Sequence, residues 1–176
     1  GESLVDKMYL DQKILTDDET IQDTVTKLGS IPLKHQPGTV WEYGVSTDVL
    51  GRLVEVVSGQ PFDDFLDERI FAPLRMTSTG FSVRSEDAHR LATAYQPNKT
   101  NTAIAPYESD NSQDFLKKPT YLSGGGGLVS TAADYLRFLQ MMLNGGELDG
   151  ARILGTETIE MMTTDHLVGI TDRRDL

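Results

Sequence analysis

The chain has 176 residues and a formal net charge of −11, with 27 acidic residues, 16 basic residues and no cysteine. This length suits one domain with its own hydrophobic core, while the absent cysteines exclude a disulfide framework, a thiolate nucleophile and a cysteine-bound zinc site. The acidic balance argues against nonspecific binding to nucleic acid, and no apolar run approaches the roughly 18 residues that a membrane span needs.

Two amphipathic helices are predicted in the first third of the chain. Residues 16–19 (Thr-Asp-Asp-Glu) have the spacing of a capping box, and apolar residues recur at helical spacing from Ile21 up to Gly29. After a proline-bracketed loop, a second helix is expected to begin with Ser46 or Thr47 as its cap. Its predicted apolar stripe consists of Leu50, Leu53, Val54 and Val57, and Gly59 ends it.

The remainder of the chain alternates between helical patterns and polar loops. Pro61 fits the first position of a third helix that runs to about residue 71. Residues 82–118 are polar and predict long loops with at most short regular pieces. Thr131 with Asp134 is a capping signal for a further helix, whose apolar face consists of Tyr135, Leu136, Leu139, Met142 and Leu143. Residues 149–150 (Asp-Gly) predict a hairpin turn, and a last short helix is predicted at residues 157–162.

The segment from Gln36 to Val45 contains the strongest candidate for a catalytic residue. A Pro-Gly turn delivers Trp41, the single tryptophan, and Tyr43 to the start of the second helix. A helix N-terminus favours a partly ionised oxygen, so a phenol placed there could take part in proton transfer. In the alternative interpretation both aromatic residues pack on the turn, and the phenol bonds to the backbone. From these residues alone, packing is the preferred interpretation.

Several short motifs, in this order and spacing, resemble the middle of a serine β-lactamase-like hydrolase, in particular the penicillin-binding-protein-type esterases and class C β-lactamases. They are Pro37-Gly38-Thr39, Trp41, Tyr43, Asp48-Val49-Leu50-Gly51, Ile70-Phe71-Ala72-Pro73-Leu74 and the segment from Ser123 to Asp134. The resemblance implies an α+β fold that is predominantly helical here, a partial β-lactamase/transpeptidase-like fold lacking much of its antiparallel sheet. It also implies that residues 1–176 form one domain, the central segment of the hydrolase.

The chemistry implied by the resemblance is acyl-enzyme hydrolysis of ester or β-lactam substrates by a serine with a lysine three positions later. Tyr43 corresponds to the tyrosine of the second motif, the catalytic residue that relays a proton between nucleophile, leaving group and water. A free tyrosine has a pKa of about 10, so it needs cationic neighbours to act near neutrality. Gly125 and Gly126 are the predicted substrate-binding residues, at the pocket rim. No metal or organic cofactor is implied.

The chain also departs from the pattern of the family. It contains no Ser-x-x-Lys, no Lys-Thr-Gly and no His-x-Gly. We therefore expect the nucleophile to be encoded before Gly1, the third motif to lie beyond Leu176, and the chain itself to be inactive. Val45 stands where β-lactamases carry an asparagine that holds the substrate carbonyl, which favours simple esters. A segment cut from its sheet should expose apolar surface, so we predict a homo-oligomer.

Other interpretations are weaker but stay open. Residues 109–111 (Ser-Asp-Asn) and 99–100 (Lys-Thr) imitate class A β-lactamase motifs in reversed order and are interpreted as coincidence. His35, His89 and His166 lack the paired spacing of a metal site, and a Ser-His-Asp triad has no nucleophile elbow to support it. The acidic pairs at residues 63–64 and 67–68 are assigned to a solvated helix face. The alternative function is a non-catalytic helical binding or interaction module. The compartment, bacterial cytoplasm or periplasm, is left undetermined.

Overall fold

A computed structural model describes residues 3–16, 18–98, 100, 102–107 and 114–167. The α-helices are α1 (Leu4–Asp11), α2 (Ile21–Leu28), α3 (Ser46–Ser58), α4 (Phe62–Leu66), α5 (Ala132–Leu143) and α6 (Thr156–Met162). A π-helix at Asp67–Phe71 continues α4, and a 3₁₀-helix spans Ser85–Arg90. Two small antiparallel sheets pair β1 (Tyr95–Pro97) with β2 (Ile104–Pro106) and β3 (Glu147–Leu148) with β4 (Ala151–Arg152). The described residues thus confirm a predominantly helical α+β chain with little sheet.

Capping boxes start the first two helices. At α2 the Thr20 hydroxyl accepts a hydrogen bond from the Asp23 N–H (3.2 Å), and the Asp23 carboxylate accepts one from the Thr20 N–H (3.0 Å). The capping box expected at residues 16–19 is therefore wrong, since the same spacing one turn later supplies both bonds; Asp17 lies outside the described residues. The first helix, α1, which no pattern predicted, begins with a similar box at Ser3.

The central helices lie where they were predicted, but their N-termini differ from the prediction. Neither Ser46 nor Thr47 caps α3, because the N-cap is Val45 and no side chain bonds to the free N–H groups. The helix ends as expected at Gly59, whose φ of 71° lies in the left-handed region that glycine adopts without strain. Pro61, predicted as the first residue of the next helix, is instead the N-cap of α4, and the helical path continues through the π-helix as predicted.

The C-terminal part also matches its local signals. The Thr131 hydroxyl accepts a hydrogen bond from the Asp134 N–H (3.2 Å) and so caps α5. Residues 149–150 form the turn between β3 and β4, although β4 begins one residue earlier than expected. In the described part of the range 82–118, the regular elements are the 3₁₀-helix and the pair of short strands β1 and β2.

Two apolar clusters form the core, and Leu66 packs against both. The larger joins the end of the α4 region to α5, and its buried members are Phe71, Leu74, Met76 and Met141. The smaller joins α4 to the loops around it, and its buried members are Phe62, Phe81 and Leu122. The core therefore lies beneath α4 and α5, while α3 contributes only the partly buried Val54.

Most of the two predicted apolar stripes lies on the surface. On α3 the exposed fractions of Leu50, Leu53 and Val57 are 56%, 52% and 79%, and the buried residues of this helix are Asp48 and Gly51. On α5 the exposed members are Tyr135, Leu136, Leu139 and Leu143. We call these two sets the exposed apolar faces of α3 and α5. Within the described ranges, no helix has the length and apolar character required to cross a bilayer.

Candidate active site

Tyr43 lies in a loop that follows a tight turn. The Gln36 carbonyl accepts hydrogen bonds from the N–H (3.2 Å) and the hydroxyl (2.7 Å) of Thr39, and Gly38 takes the positive φ of 79° that such a turn requires. Trp41 is half-buried, but Tyr43 is 86% exposed. Among the residues that the structure describes, none forms a hydrogen bond with the Tyr43 hydroxyl. The phenol is therefore not packed on the turn.

Ion pairs hold the side chain of Glu42, the residue before Tyr43. The Glu42 carboxylate binds the Lys34 ammonium and the His35 ring, the latter at 2.6 Å, and Lys34 also reaches Asp6 at 3.2 Å. The hydrogen bond from Lys34, with a smaller contribution from the one to His35, holds the pKa of Glu42 below its ordinary value. Because all these groups lie near the surface, the pairs contribute little stability, but they connect the loop to α1.

The glycine run, residues 124–127, packs against the first turn of α3. The Ser123 hydroxyl donates to the Asp48 carboxylate (2.6 Å) and accepts from the Gly125 N–H (3.0 Å). A Cβ at Gly124 would lie 2.0 Å from the Thr47 carbonyl oxygen, so only glycine allows this approach of two backbones. Two segments that are 75 residues apart are thereby joined.

The Asp48 side chain belongs to a cluster of three buried polar groups. Asp48 is 6% exposed, and the hydroxyls of Tyr121 and Thr24 are buried without a hydrogen-bond partner among the described residues. Burial, followed by the nearby Asp48 carboxylate, raises the pKa of Tyr121. Tyr121 therefore lies close to Asp48, but no hydrogen bond of acceptable geometry joins them. Sequence patterns do not reveal this group, because its members come from three distant segments and share no local signal.

The structure places Tyr43 and Gly125 at the N-terminal end of α3. Tyr43 precedes the first residue of that helix by three positions, and Gly125 lies against Thr47 in the first turn, where a Cβ added to the glycine would be 2.6 Å from the Thr47 hydroxyl. Gly126 is exposed, with nothing within 4 Å of a Cβ. The catalytic and substrate-binding roles of these residues stay predictions.

The other candidate groups do not assemble. His35 bonds to Glu42, while the rings of His89 and His166 bond to nearby backbone carbonyls. Within the described ranges, no three potential metal-ligating side chains come together. Residues 109–111 and Lys99, which imitate class A motifs, lie outside the described residues.

The assignment of the two acidic pairs to a solvated helix face is wrong for Asp63. Asp63 is not a fully solvated residue, because its carboxylate pairs with the Lys118 ammonium at 2.5 Å and one of its oxygens is buried without a partner in the described part of the chain. Lys118 belongs to the loop before the glycine run, so this ion pair brings that loop into contact with α4. Glu68, by contrast, lies at the surface and bonds to Gln60 (2.7 Å).

Comparison with known proteins gives consistent matches. The Beta-lactamase family profile matches residues 5–174. Protein Rv1367c of Mycobacterium tuberculosis is 38% identical over 144 residues, which cover 80% of this chain and 34% of that protein. Esterase EstB of Burkholderia gladioli is 30% identical over 151 residues, which cover 78% of this chain and 38% of the esterase.

Solved structures point to the same fold. EstCE1, described as a hydrolase with promiscuous acyltransferase activity, superposes with a TM-score of 0.70 at 26% identity, over 88% of this chain and 43% of EstCE1. The chain thus spans between 34% and 43% of the length of these relatives. From the family match over residues 5–174 and the shared fold, the chain belongs to the β-lactamase family of serine hydrolases.

Proposed function

We propose that the chain forms part of the active site of a serine hydrolase that uses acyl-enzyme chemistry on ester or β-lactam substrates. Tyr43 is the proton-transfer residue, and Gly125 and Gly126 lie at the rim of the substrate pocket. The observation that carries this proposal is the Ser123–Asp48 contact (2.6 Å), which brings the glycine run to the end of α3 that follows Tyr43. The family membership supports the reaction class.

In this mechanism the Tyr43 oxygen, as phenolate, takes the proton of a serine hydroxyl while the serine oxygen attacks the substrate carbonyl. The phenol then gives the proton to the departing alcohol or amine, which leaves an acyl-enzyme. For deacylation the phenolate takes a proton from water, and the proton returns to the serine oxygen when the acid is released. The 86% exposure of Tyr43 leaves its oxygen free to meet a nucleophile from another segment.

The nucleophile belongs, in our proposal, to a segment other than these 176 residues, which contain no Ser-x-x-Lys. The isolated chain should therefore be inactive. The relatives, which are more than twice as long as the matched region, leave room for such a segment. The chain would then be the central segment of one hydrolase domain.

Position 45 supports an ester substrate over a β-lactam. Val45 is the half-buried N-cap of α3 and offers no side-chain hydrogen bond at the mouth of the helix. An amide at this position could donate to a substrate carbonyl, which valine cannot do. The relative named as an esterase, EstB, is consistent with this preference.

The first experiment measures hydrolysis of p-nitrophenyl acetate and nitrocefin by the purified chain and by Tyr43→Phe. We expect no turnover by either protein above the uncatalysed rate. Turnover that disappears in Tyr43→Phe would show that the chain carries its own nucleophile and would overturn the proposed inactivity.

The second experiment tests the role of Tyr43 in a complete active site. In a chimera, this chain replaces the matching segment of EstB, and Tyr43→Phe is compared with Tyr135→Phe, which removes an exposed phenol from α5. Loss of a general acid–base residue lowers kcat by about 10²–10⁴-fold, whereas the control should keep its kcat. Equal activity of the two variants would exclude Tyr43 from proton transfer.

The exposed apolar faces of α3 and α5 favour a second candidate, a non-catalytic module that binds a partner through these faces. Sequencing the coding DNA on both sides of the chain separates the two candidates, since a Ser-x-x-Lys upstream decides for the enzyme. We also propose that the isolated chain forms homo-oligomers through these faces. Sedimentation should show concentration-dependent association that Leu53→Glu weakens, and a clean monomer at high concentration would contradict it.

A further inference from the structure

A second concave site lies between the loop that follows the π-helix and the segment that leads into α5. Its volume is about 370 Å³, within the range of small-molecule sites. Six hydroxyl-bearing residues line it, namely Thr77, Ser78, Thr79, Ser82, Ser130 and Thr131. Neither Tyr43 nor any residue of the glycine run takes part in it.

The two walls of this hydroxyl-lined cleft are held together by hydrogen bonds. The backbones of Gly80 and Val129 exchange two hydrogen bonds, of 3.1 and 2.8 Å. The buried Asp134 carboxylate accepts from the Ser78 N–H (2.7 Å) and the Thr79 hydroxyl (3.0 Å). These contacts fix the positions of the hydroxyl groups, and they use the Asp134 carboxylate as an acceptor inside the wall.

Three charged side chains of the 3₁₀-helix region face the cleft. The Asp87 carboxylate lies between two guanidinium groups, at 2.5 Å from Arg84 and 3.0 Å from Arg90. The hydrogen bond from Arg90, followed by that from Arg84, holds the pKa of Asp87 below its ordinary value. Arg84 also pairs with the Glu86 carboxylate at 3.5 Å, so Arg90 is the guanidinium group that shares its carboxylate partner rather than holding two of its own.

The cleft also contains hydrogen-bond donors that have no partner among the described residues. Within the described ranges, Arg90 donates through one terminal nitrogen, to Asp87 (3.0 Å) and to the Ser78 hydroxyl (3.4 Å), and its other nitrogens carry N–H groups without a partner. Among the residues that the structure describes, the hydroxyls of Thr77 and Ser82 have no partner either. The Asp87 carboxylate, which lines the cleft, already accepts from both arginines.

We propose that this cleft binds a small oxyanion, the phosphate or carboxylate group of a small molecule. A ligand of this kind supplies the acceptors that the free donors lack, and a guanidinium group can bind it through two parallel hydrogen bonds. Arg90 makes the main contact, and the Thr77 and Ser82 hydroxyls complete it.

The test is a titration of the ¹⁵N-labelled chain with inorganic phosphate, with succinate and with sodium chloride at matched ionic strength. We expect a Kd of about 1 mM, which corresponds to a binding free energy of about −4 kcal/mol. We expect saturable shifts of the amides of residues 77–92 and 129–131 with phosphate, succinate or both, and none with chloride. The anion that binds more tightly identifies the natural group as phosphate or carboxylate.

Variants decide whether the cleft itself is responsible. Arg90→Gln should weaken binding about tenfold, the value of one charge-assisted hydrogen bond, whereas Arg152→Gln, a surface arginine paired with Glu147, should not. Asp87→Asn removes the competing carboxylate and should strengthen binding. Absence of saturable shifts with both anions would overturn the proposal, as would equal affinities of Arg90→Gln and Arg152→Gln or weaker binding by Asp87→Asn.

Discussion

Substitution of Gly124 by alanine tests the contact on which the candidate active site depends. The new Cβ would lie 2.0 Å from the Thr47 carbonyl oxygen, 2.8 Å from the Thr47 carbonyl carbon and 3.2 Å from the Asp48 Cα. All three atoms belong to the backbone of the first turn of α3, so no side-chain rotation can relieve the overlap. The glycine run must move away from the helix.

The cost has two parts. Overpacking of this kind destabilises proteins by about 1–3 kcal/mol. Displacement of the run also weakens the Ser123–Asp48 hydrogen bond, and a bond to a charged group contributes about 1.5–3 kcal/mol. The lower entropy of the unfolded chain offsets about 0.4–1 kcal/mol of this. We therefore expect Gly124→Ala to lower the free energy of unfolding by roughly 2–4 kcal/mol.

Two neighbouring glycines provide matched controls with the same chemical change. A Cβ at Gly125 meets the Thr47 hydroxyl at 2.6 Å, but this side chain can rotate, so Gly125→Ala should cost under about 1 kcal/mol. A Cβ at Gly126 meets nothing within 4 Å, and Gly126→Ala should be neutral or slightly stabilising.

Urea unfolding at a fixed protein concentration gives these free energies, with fluorescence of Trp41, the single tryptophan, and far-UV circular dichroism as two probes. Coincident transitions by both probes would support two-state analysis. If Gly124→Ala and Gly126→Ala differed by less than about 0.5 kcal/mol, the glycine run would not pack on α3 as described.

Three further predictions use other buried polar groups. Asp134→Ala leaves the Ser78 N–H without its acceptor and the Thr79 hydroxyl with Ser130 as its partner, and it should lower the free energy of unfolding by about 1.5–3 kcal/mol in urea; a loss below about 1 kcal/mol would contradict the buried contacts. Ser123→Ala should cost about 1.5–3 kcal/mol and accelerate hydrogen exchange of the amide two residues later; unchanged exchange would refute the bond network. Tyr121 has a raised pKa because of burial, so its contribution to stability is present below the unfolded pKa of about 10 and is lost as the pH rises above it. The free energy of unfolding should therefore fall less steeply above about pH 10 in Tyr121→Phe than in the exposed-site control Tyr43→Phe, and identical slopes would refute the assignment.

Local chemistry explains the elements that could be predicted. Gly59 ends α3 because its left-handed backbone conformation penalises other residues, and Thr131 starts α5 because its hydroxyl reaches the N–H three positions later. Both effects act over fewer than about five residues, so they are visible in the sequence. The N-cap of α2 could not be predicted from local chemistry. Residues 16–19 and 20–23 both have a threonine followed by an acidic residue three positions later, so the local pattern does not distinguish between them.

The side chains that α3 buries could not be predicted in the same way. Its apolar pattern suggests that Leu50, Leu53 and Val57 face the core, yet the helix buries Asp48 and Gly51. Gly51 allows Ile21 and Gly124 to approach the helix closely. The face of a helix that becomes buried depends on which other segments pack against it. Periodicity shows only that the helix has an apolar face.

The sequence by itself determined the helical content, the turn before Tyr43 and the resemblance to a serine hydrolase, because each depends on residue types within short segments. Only the tertiary structure decided that Asp48 is buried beside Ser123, that Tyr43 stands exposed at the same end of α3, and that Arg84, Asp87 and Arg90 share a hydroxyl-lined cleft. Such arrangements join positions far apart in the chain, and the free energy that selects them comes from burial and hydrogen bonding between segments, which no local pattern records.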